Sequence, residues 1–183
     1  QGDATSYTFR KADGCDIGQL AAIKNSFGSI NKIKARDLGY EVLPGSEWLR
    51  QDVDILIPAA LENQIIPDIC TDISPRVKII CEAANGPTTP DCDPILSERG
   101  VIVLPDFLCN AGGVTCSYFE QVQCNMNYFW SKEEVLDKLE YTMSNAFAAV
   151  NDMAQKKKLS LRDAAYVIAI NRVVNAVKLR GWV

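Results

Sequence analysis

Residues 81–120 read CEAANGPTTPDCDPILSERGVIVLPDFLCNAGGVTCSYFE. Within and just before this stretch, two short β-branched runs, Val77-Lys-Ile-Ile80 and Val101-Ile-Val-Leu104, each lead into a polar cluster rich in turn formers. The first cluster is Ala83-Ala-Asn-Gly-Pro-Thr-Thr89 and the second is Cys109-Asn-Ala-Gly-Gly-Val114. Short apolar runs bounded by such turns read as buried strands of a parallel sheet. Sheets of that kind bind ligands in the loops at the carboxyl ends of their strands. The segment therefore predicts two parallel strands and a binding rim beyond them.

Working outward, the same alternation continues. Upstream, Asp54-Ile-Leu-Ile57 predicts a buried strand over 53–57, covered by helices on both faces, and Ser74-Pro75 introduces the strand over 77–80. Pro90 opens a helix that Gly100 closes before the strand over 101–104. Nearer the amino end, Asp16 caps a helix over 17–27 that ends near Gly28. An extended piece over 40–43 then meets the Pro44-Gly45-Ser46 turn and a single helical turn through Leu49. Residues 1–6 read as a polar start that is expected to fray.

Beyond Pro105 the pattern turns helical. Ser131 with Glu134 three residues on is a capping box, opening a helix over 131–157 whose apolar face carries Val135, Leu139, Met143, Ala146, Phe147 and Val150. Lys156, Lys157 and Lys158 suit its carboxyl end, where cations meet the negative pole of the helix dipole. Ser160 caps a last helix expected to bury Ala164, Ala165, Ile168, Val173, Val174 and Val177. The fold class expected is α/β: a partial Rossmann-like parallel sheet flanked by helices, with a helical carboxyl-terminal tail. The corresponding domain division is a truncated dinucleotide-binding domain over 1–130 and packing helices over 131–183.

Composition narrows the functions open to the chain. With 183 residues, 48% apolar, 23% charged and a net charge of −4, it has the make-up of a globular domain able to bury a core, with no basic stripe for nucleic acid. No apolar run is long enough to cross a bilayer, so no membrane partner is expected and a cytoplasmic location is the default. Cys15, Cys70, Cys81, Cys92, Cys109, Cys116 and Cys124 include no C-x-x-C pair, and no histidine is present to complete a mixed zinc site. The expectation is reduced, mostly buried thiols and no metal. Cys109, next to Asn110 in the loop, would be reactive only if exposed. The lack of histidine also removes Ser-His and Cys-His nucleophilic catalysis.

A dinucleotide-binding sheet ordinarily starts with a G-x-G-x-x-G turn that lets backbone approach the pyrophosphate. No two glycines here stand two apart. Other motifs carry the relationship instead. Asp52-Val-Asp-Ile-Leu-Ile-Pro-Ala-Ala-Leu-Glu62, Glu82-Ala-Ala-Asn-Gly-Pro-Thr-Thr89, Leu104-Pro-Asp106, Asn110-Ala-Gly-Gly-Val114, Ser117-Tyr-Phe-Glu120, Trp130, Leu161-Arg-Asp-Ala-Ala-Tyr166 and Arg180-Gly181 follow one another in the order seen in the glutamate, leucine, phenylalanine and valine dehydrogenases. From Gly14 onward the chain resembles the carboxyl-terminal nucleotide-binding domain of a glutamate dehydrogenase without its first β-α-β unit.

The resemblance implies roles. Ala59 and Ala60 would let a nicotinamide nucleotide, NAD or NADP, approach the backbone. Asn85 would bond it near a ribose, and Asn110 would meet the nicotinamide amide or the substrate, since a carboxamide both donates and accepts. Taken as residues alone, Asn85-Gly86-Pro87 also reads as a plain turn and Asn110 as a helix cap. Val114 would pack on the methylenes of glutamate and Ser117 would hold its side-chain carboxylate. A helical serine also returns its hydroxyl to a backbone carbonyl.

The activity implied is NAD(P)-dependent oxidoreduction, the reversible oxidative deamination of L-glutamate to 2-oxoglutarate and ammonia. In the family the catalytic lysine and aspartate belong to an amino-terminal domain, so no catalytic residue is assigned here and the isolated chain is expected to be inactive. That missing domain, a small-molecule substrate and further copies of the chain are the expected partners, in line with the oligomers the family forms. The alternative is a non-catalytic nucleotide-binding or interaction module derived from such a domain.

Overall fold

The computed structural model describes residues 7–182, and the polar start at 1–6 lies outside the described residues. The chain divides into two compact units, residues 1–53 with 71–76 and residues 54–70 with 77–183.

The first unit contains β1 (Tyr7–Arg10), α1 (Ile17–Ala22), α2 (Lys32–Asp37), β2 (Glu41–Pro44) and a 3-10 turn, Gly45–Trp48. β1 and β2 pair antiparallel, with Phe9 opposite Val42. Leu20, Ala35 and Tyr40 form its core, flanked by Phe9, Ile23, Ile30 and Val42. Asp16 caps α1 by accepting a hydrogen bond from Gln19 N, as its position before the helix suggests.

The helix stops at Ala22, not at 27 as expected. The Asn25 side chain accepts hydrogen bonds from both Phe27 N and Ser29 N, and Gly28 turns the chain at φ +84°. An Asn side chain that satisfies nearby backbone N–H groups competes with the helix. β1 and α2 were not expected: each is too short to show a repeat of apolar positions, although Asn31 caps α2 by accepting from Ile33 N and Lys34 N.

The second unit is α/β. Its elements are β3 (Ile55–Leu56), α3 (Pro67–Cys70), β4 (Ile79–Cys81), α4 (Cys92–Glu98), β5 (Ile102–Leu104), α5 (Asp106–Cys109), α6 (Ala111–Met126), α7 (Lys132–Lys157) and α8 (Leu161–Leu179). The strands make a parallel sheet in the order β3-β4-β5, with Ile55 beside Ile79, and Ile80 beside Val103. Leu56, Ile80, Leu96 and Val101 are buried in and around it. A second cluster, Leu108, Val150, Ala154, Ala164 and Ala165, joins α5, α7 and α8.

The capping box of α7 is present, Ser131 accepting from Glu134 N while Glu134 accepts from Ser131 N. Ser160 caps α8 in the same manner through Asp163 N. Among the described residues no helix is long and apolar enough to cross a membrane.

Two burial expectations are corrected. β3 is not covered on both faces: Ile55 is 52% exposed and Ile57 59%, because among the described residues β3 pairs with β4 alone and lies at an edge. In α8, Ala164 and Ala165 are buried and Ile168 packs on the core, but Val173, 64% exposed, and Val174 are not buried. The helix carries apolar residues on all sides, and its buried residues, Ala164 and Ala165, fall in its first two turns, with Val177 only half-buried.

Candidate functional site

The rim is built by backbone pairing that runs past the ends of the strands. Ala83 N and Ala84 N both donate to Pro58 O, at 3.0 and 2.9 Å, which extends the β3–β4 pairing into the loops. Asn63 N then bonds Gly86 O at 2.9 Å, while Gln64 N and Ile65 N both reach Pro87 O at 2.8 Å. The segment after β3 is thereby laced to the segment after β4. Ala59 and Ala60 lie within it, exposed, with no side chain beyond Cβ to obstruct approach to the backbone. Gly86 turns the second segment at φ +52°, in the left-handed region that a glycine enters without strain.

Asn85 and Asn110 meet. Asn110 Nδ2 donates to Asn85 Oδ1 at 2.7 Å and to Ala84 O at 3.3 Å, across 25 and 26 residues of chain. Asn110 occupies the N-cap position of α6, yet its side chain makes no capping bond. The side chain is instead committed to the loop after β4, so the carboxamides from two strand ends stand side by side.

Val114 and Ser117 lie farther along α6. Both are exposed, Val114 at 70%. Ser117 Oγ donates to Gly113 O at 3.3 Å, the local bond open to any helical serine. Seven residues separate Ser117 from Asn110, which is about 10 Å of helix rise. The structure thus joins Asn85 to Asn110 directly and places Ala59 and Ala60 on the neighbouring laced segment. Val114 and Ser117 stand on the helix that Asn110 opens.

Cys109 does not meet the condition of exposure. It is half-buried, and burial together with the Cys81 thiol, to which it is hydrogen-bonded, pushes its pKa up. It rests as a thiol beside an apolar hollow of about 330 Å³ lined by Leu104, Leu108, Met143 and Phe147.

A second constellation supports the rim and had no role assigned from sequence. Glu82, 0% exposed at the end of β4, is gripped by Arg162 through Nη1–Oε2 at 3.0 Å and Nη2–Oε1 at 2.8 Å. Arg162 also donates from Nε to Asp93 Oδ2 at 2.7 Å, and its Nη1 stands 3.8 Å from Asp106 Oδ1. Burial alone would pull this guanidinium down, but hydrogen bonds to Glu82 and Asp93 outweigh it and hold the group above the ordinary arginine value. Glu82 accepts a further bond from Asp106 N at 2.9 Å, so no carboxylate oxygen of this buried residue lacks a donor. The signal in the sequence was the position of Glu82, Asp106 and Arg162 inside the ordered motifs.

Comparison with known proteins places the sequence and the fold among relatives. The family model for Glutamate/Leucine/Phenylalanine/Valine dehydrogenase matches residues 3–181. An NAD-specific glutamate dehydrogenase of Staphylococcus aureus (strain COL) is 45% identical over 170 residues, 93% of this chain and 39% of that protein. The crystal structure of glutamate dehydrogenase from Peptoniphilus asaccharolyticus superposes with a TM-score of 0.65 at 46% identity, covering 69% of this chain and 32% of that one. The hetero-hexameric glutamate dehydrogenase from Thermus thermophilus, in its Leu-bound form, superposes with a TM-score of 0.82 at 28% identity, over 93% of this chain and 38% of that one. The chain spans 39% of the length of the curated relative it matches. With the family motifs in order along one parallel sheet and the match running over nearly the whole sequence, the chain belongs to the glutamate, leucine, phenylalanine and valine dehydrogenase family.

Proposed function

We propose that this chain supplies the nucleotide-holding part of an NAD-dependent glutamate dehydrogenase. The observation that carries the reading is the Asn110–Asn85 bond of 2.7 Å at the rim of the parallel sheet. Two carboxamides locked to each other present their remaining donors and acceptors together, which suits the amide and hydroxyl groups of a nicotinamide nucleotide. Ala59 and Ala60, exposed and small, leave the neighbouring backbone open to it. The S. aureus relative, 45% identical, is NAD-specific, which favours NAD over NADP.

The reaction is the oxidative deamination of L-glutamate to 2-oxoglutarate and ammonia, and its reverse. When bound, NAD supplies the hydride acceptor. The residues of this chain orient and bind. Asn85 and Asn110 hold the nucleotide, while Val114 and Ser117, on one face of α6 at a three-residue spacing, meet the side chain of glutamate. A serine hydroxyl favours an acidic substrate, because left unpaired against an aliphatic one it would cost binding energy. Two carboxamides and a hydroxyl do not remove a proton from an amine at neutral pH, so acid–base groups must come from other residues. The 183 residues alone are therefore proposed to turn over no glutamate. Assembly with further copies of itself, and a reducing compartment such as the cytoplasm in which its seven cysteines stay free thiols, complete the reading.

Titration of the intact protein with NAD tests the proposal. Asn110→Ala is expected to weaken binding about tenfold, the effect of removing one well-placed hydrogen-bonding group. Absence of NAD binding by the intact protein refutes the reading. Binding without turnover even when the chain is combined with the acid–base residues of a whole dehydrogenase would instead favour a non-catalytic nucleotide module.

A further inference from the structure

Glu82, Asp93, Asp106 and Arg162 come from four separate places: the end of β4, α4, the start of α5 and the first turn of α8. Their contacts lead in one direction. Arg162 is 14% exposed and spends both donor edges of its guanidinium on carboxylates, forking onto Glu82 and bridging to Asp93. Glu82 accepts from the Asp106 backbone N–H, and the Asp106 carboxylate, 3.8 Å from Arg162 Nη1, is the next link. Its Oδ1 accepts from Phe107 N at 2.8 Å, and its Oδ2 accepts from Gly86 N, also at 2.8 Å. Gly86 directly follows Asn85, whose Oδ1 receives the bond from Asn110. Charge-assisted bonds thus run from the first turn of α8 to the Gly86 peptide, which the chain itself links to Asn85 and so to the paired carboxamides at the rim.

The chemistry of position 106 is demanding. Two backbone N–H groups, on Gly86 and Phe107, point at two different oxygens, and a cation approaches from the side of one of them. Only a carboxylate accepts at both oxygens; a carboxamide offers one acceptor and turns an NH2 group toward either an N–H or the guanidinium. Glu82 and Arg162 have a matching task. Glu82 pins the Asp106 backbone and Arg162 stands beside its carboxylate, so the side chain that grips Gly86 is itself held from two sides.

We infer that Asp106 is a positioning residue for the nicotinamide nucleotide: it fixes the Gly86 peptide, and through it the carboxamide of Asn85, while Arg162 steadies it from α8. The inference rests on the reading of Asn85 and Asn110 as nucleotide ligands. It also assigns the first turn of α8 a part in setting the rim, although that helix contributes no residue to the pair.

The test is a double-mutant cycle in the intact protein, with NAD affinity measured by titration and the fold checked by circular dichroism. Asp106→Asn is expected to weaken NAD binding about tenfold, the size of one lost charge-assisted hydrogen bond. In an Asn85→Ala background the same change is expected to cost less than about twofold, since a residue acting through Asn85 has nothing left to position. An unchanged affinity in Asp106→Asn overturns the inference, and so does an equal loss in both backgrounds, which would mark a merely structural role. Failure of the unaltered protein to bind NAD overturns the nucleotide reading beneath it, so the two failures are told apart by that control. If Asp106→Asn does not fold, Arg162→Lys carries the same cycle, because it keeps the charge and loses the fork. A smaller loss that vanishes without Asn85 supports the inference, and an equal loss in both backgrounds overturns it.

Discussion

At the scale of single residues, the side chains that organise this molecule are those whose polar groups have only one place to go. Glu82, fully buried, would carry an expensive charge were it not forked to Arg162 and bonded to Asp106 N. Removing one partner of such a pair typically costs about 3–5 kcal/mol, whereas replacing the whole pair with apolar groups can cost little, so the pair speaks for a required geometry more than for stability. Asn110 makes the same point on a smaller scale, forgoing the capping bond open to it at α6 for a bond to Asn85. Cys70, buried on α3, yields a prediction. Burial, with the Cys92 thiol beside it, pushes its pKa up from 9.0 to about 12. A thiol whose folded pKa is raised leaves stability intact below the unfolded value and erodes it as pH climbs toward the folded one. The midpoint of urea unfolding is therefore expected to fall between pH 9.0 and about 12, and Cys70→Ala is expected to fall less over the same interval. Parallel curves for the two proteins would rule this out.

At the scale of elements, ends matter more than interiors. α7 begins where Ser131 and Glu134 exchange hydrogen bonds with each other's backbone and ends where Lys158 enters the left-handed region at φ +55°. Both features lie within a few consecutive residues. Ser131→Ala leaves the Glu134 N–H without its acceptor and is expected to lower stability by about 1 kcal/mol, seen as a lower thermal midpoint with little change in helix content. A shift within experimental error would mean that packing on α6 and α8, not the cap, sets where α7 starts. α1 is the counter-example. Its cap at Asp16 is as readable as that of α7, but its far end is set by the Asn25 side chain, which draws the chain into a turn five residues before the periodic pattern runs out.

For the whole molecule, apolar surface is left over. Ile170, Val173, Val174 and Leu179 are exposed along the second half of α8, and Ile55 and Ile57 along the edge of the sheet. Exposed apolar side chains in such number promote association. The chain is expected to self-associate in sedimentation velocity as its concentration rises, and Ile170→Lys with Val173→Lys to suppress that. A monomer at every concentration would contradict the expectation. What the sequence determined by itself was the order of the three strands and of α4, α7 and α8 in the second unit, the caps of α1, α7 and α8, and family membership; the short α3 and the break between α5 and α6 were not read from it. Each feature that was read is written in neighbouring residues: a cap needs an acceptor three positions from an N–H, and a short strand needs a few β-branched residues between turn formers. What only the tertiary structure decided was which side chains meet. Asn110 reaches Asn85 across 25 residues and Arg162 reaches Glu82 across 80, and no local pattern encodes either contact. The same holds for the uncovered face of α8, because composition says that a residue is apolar but only the path of the rest of the chain says whether anything lies against it.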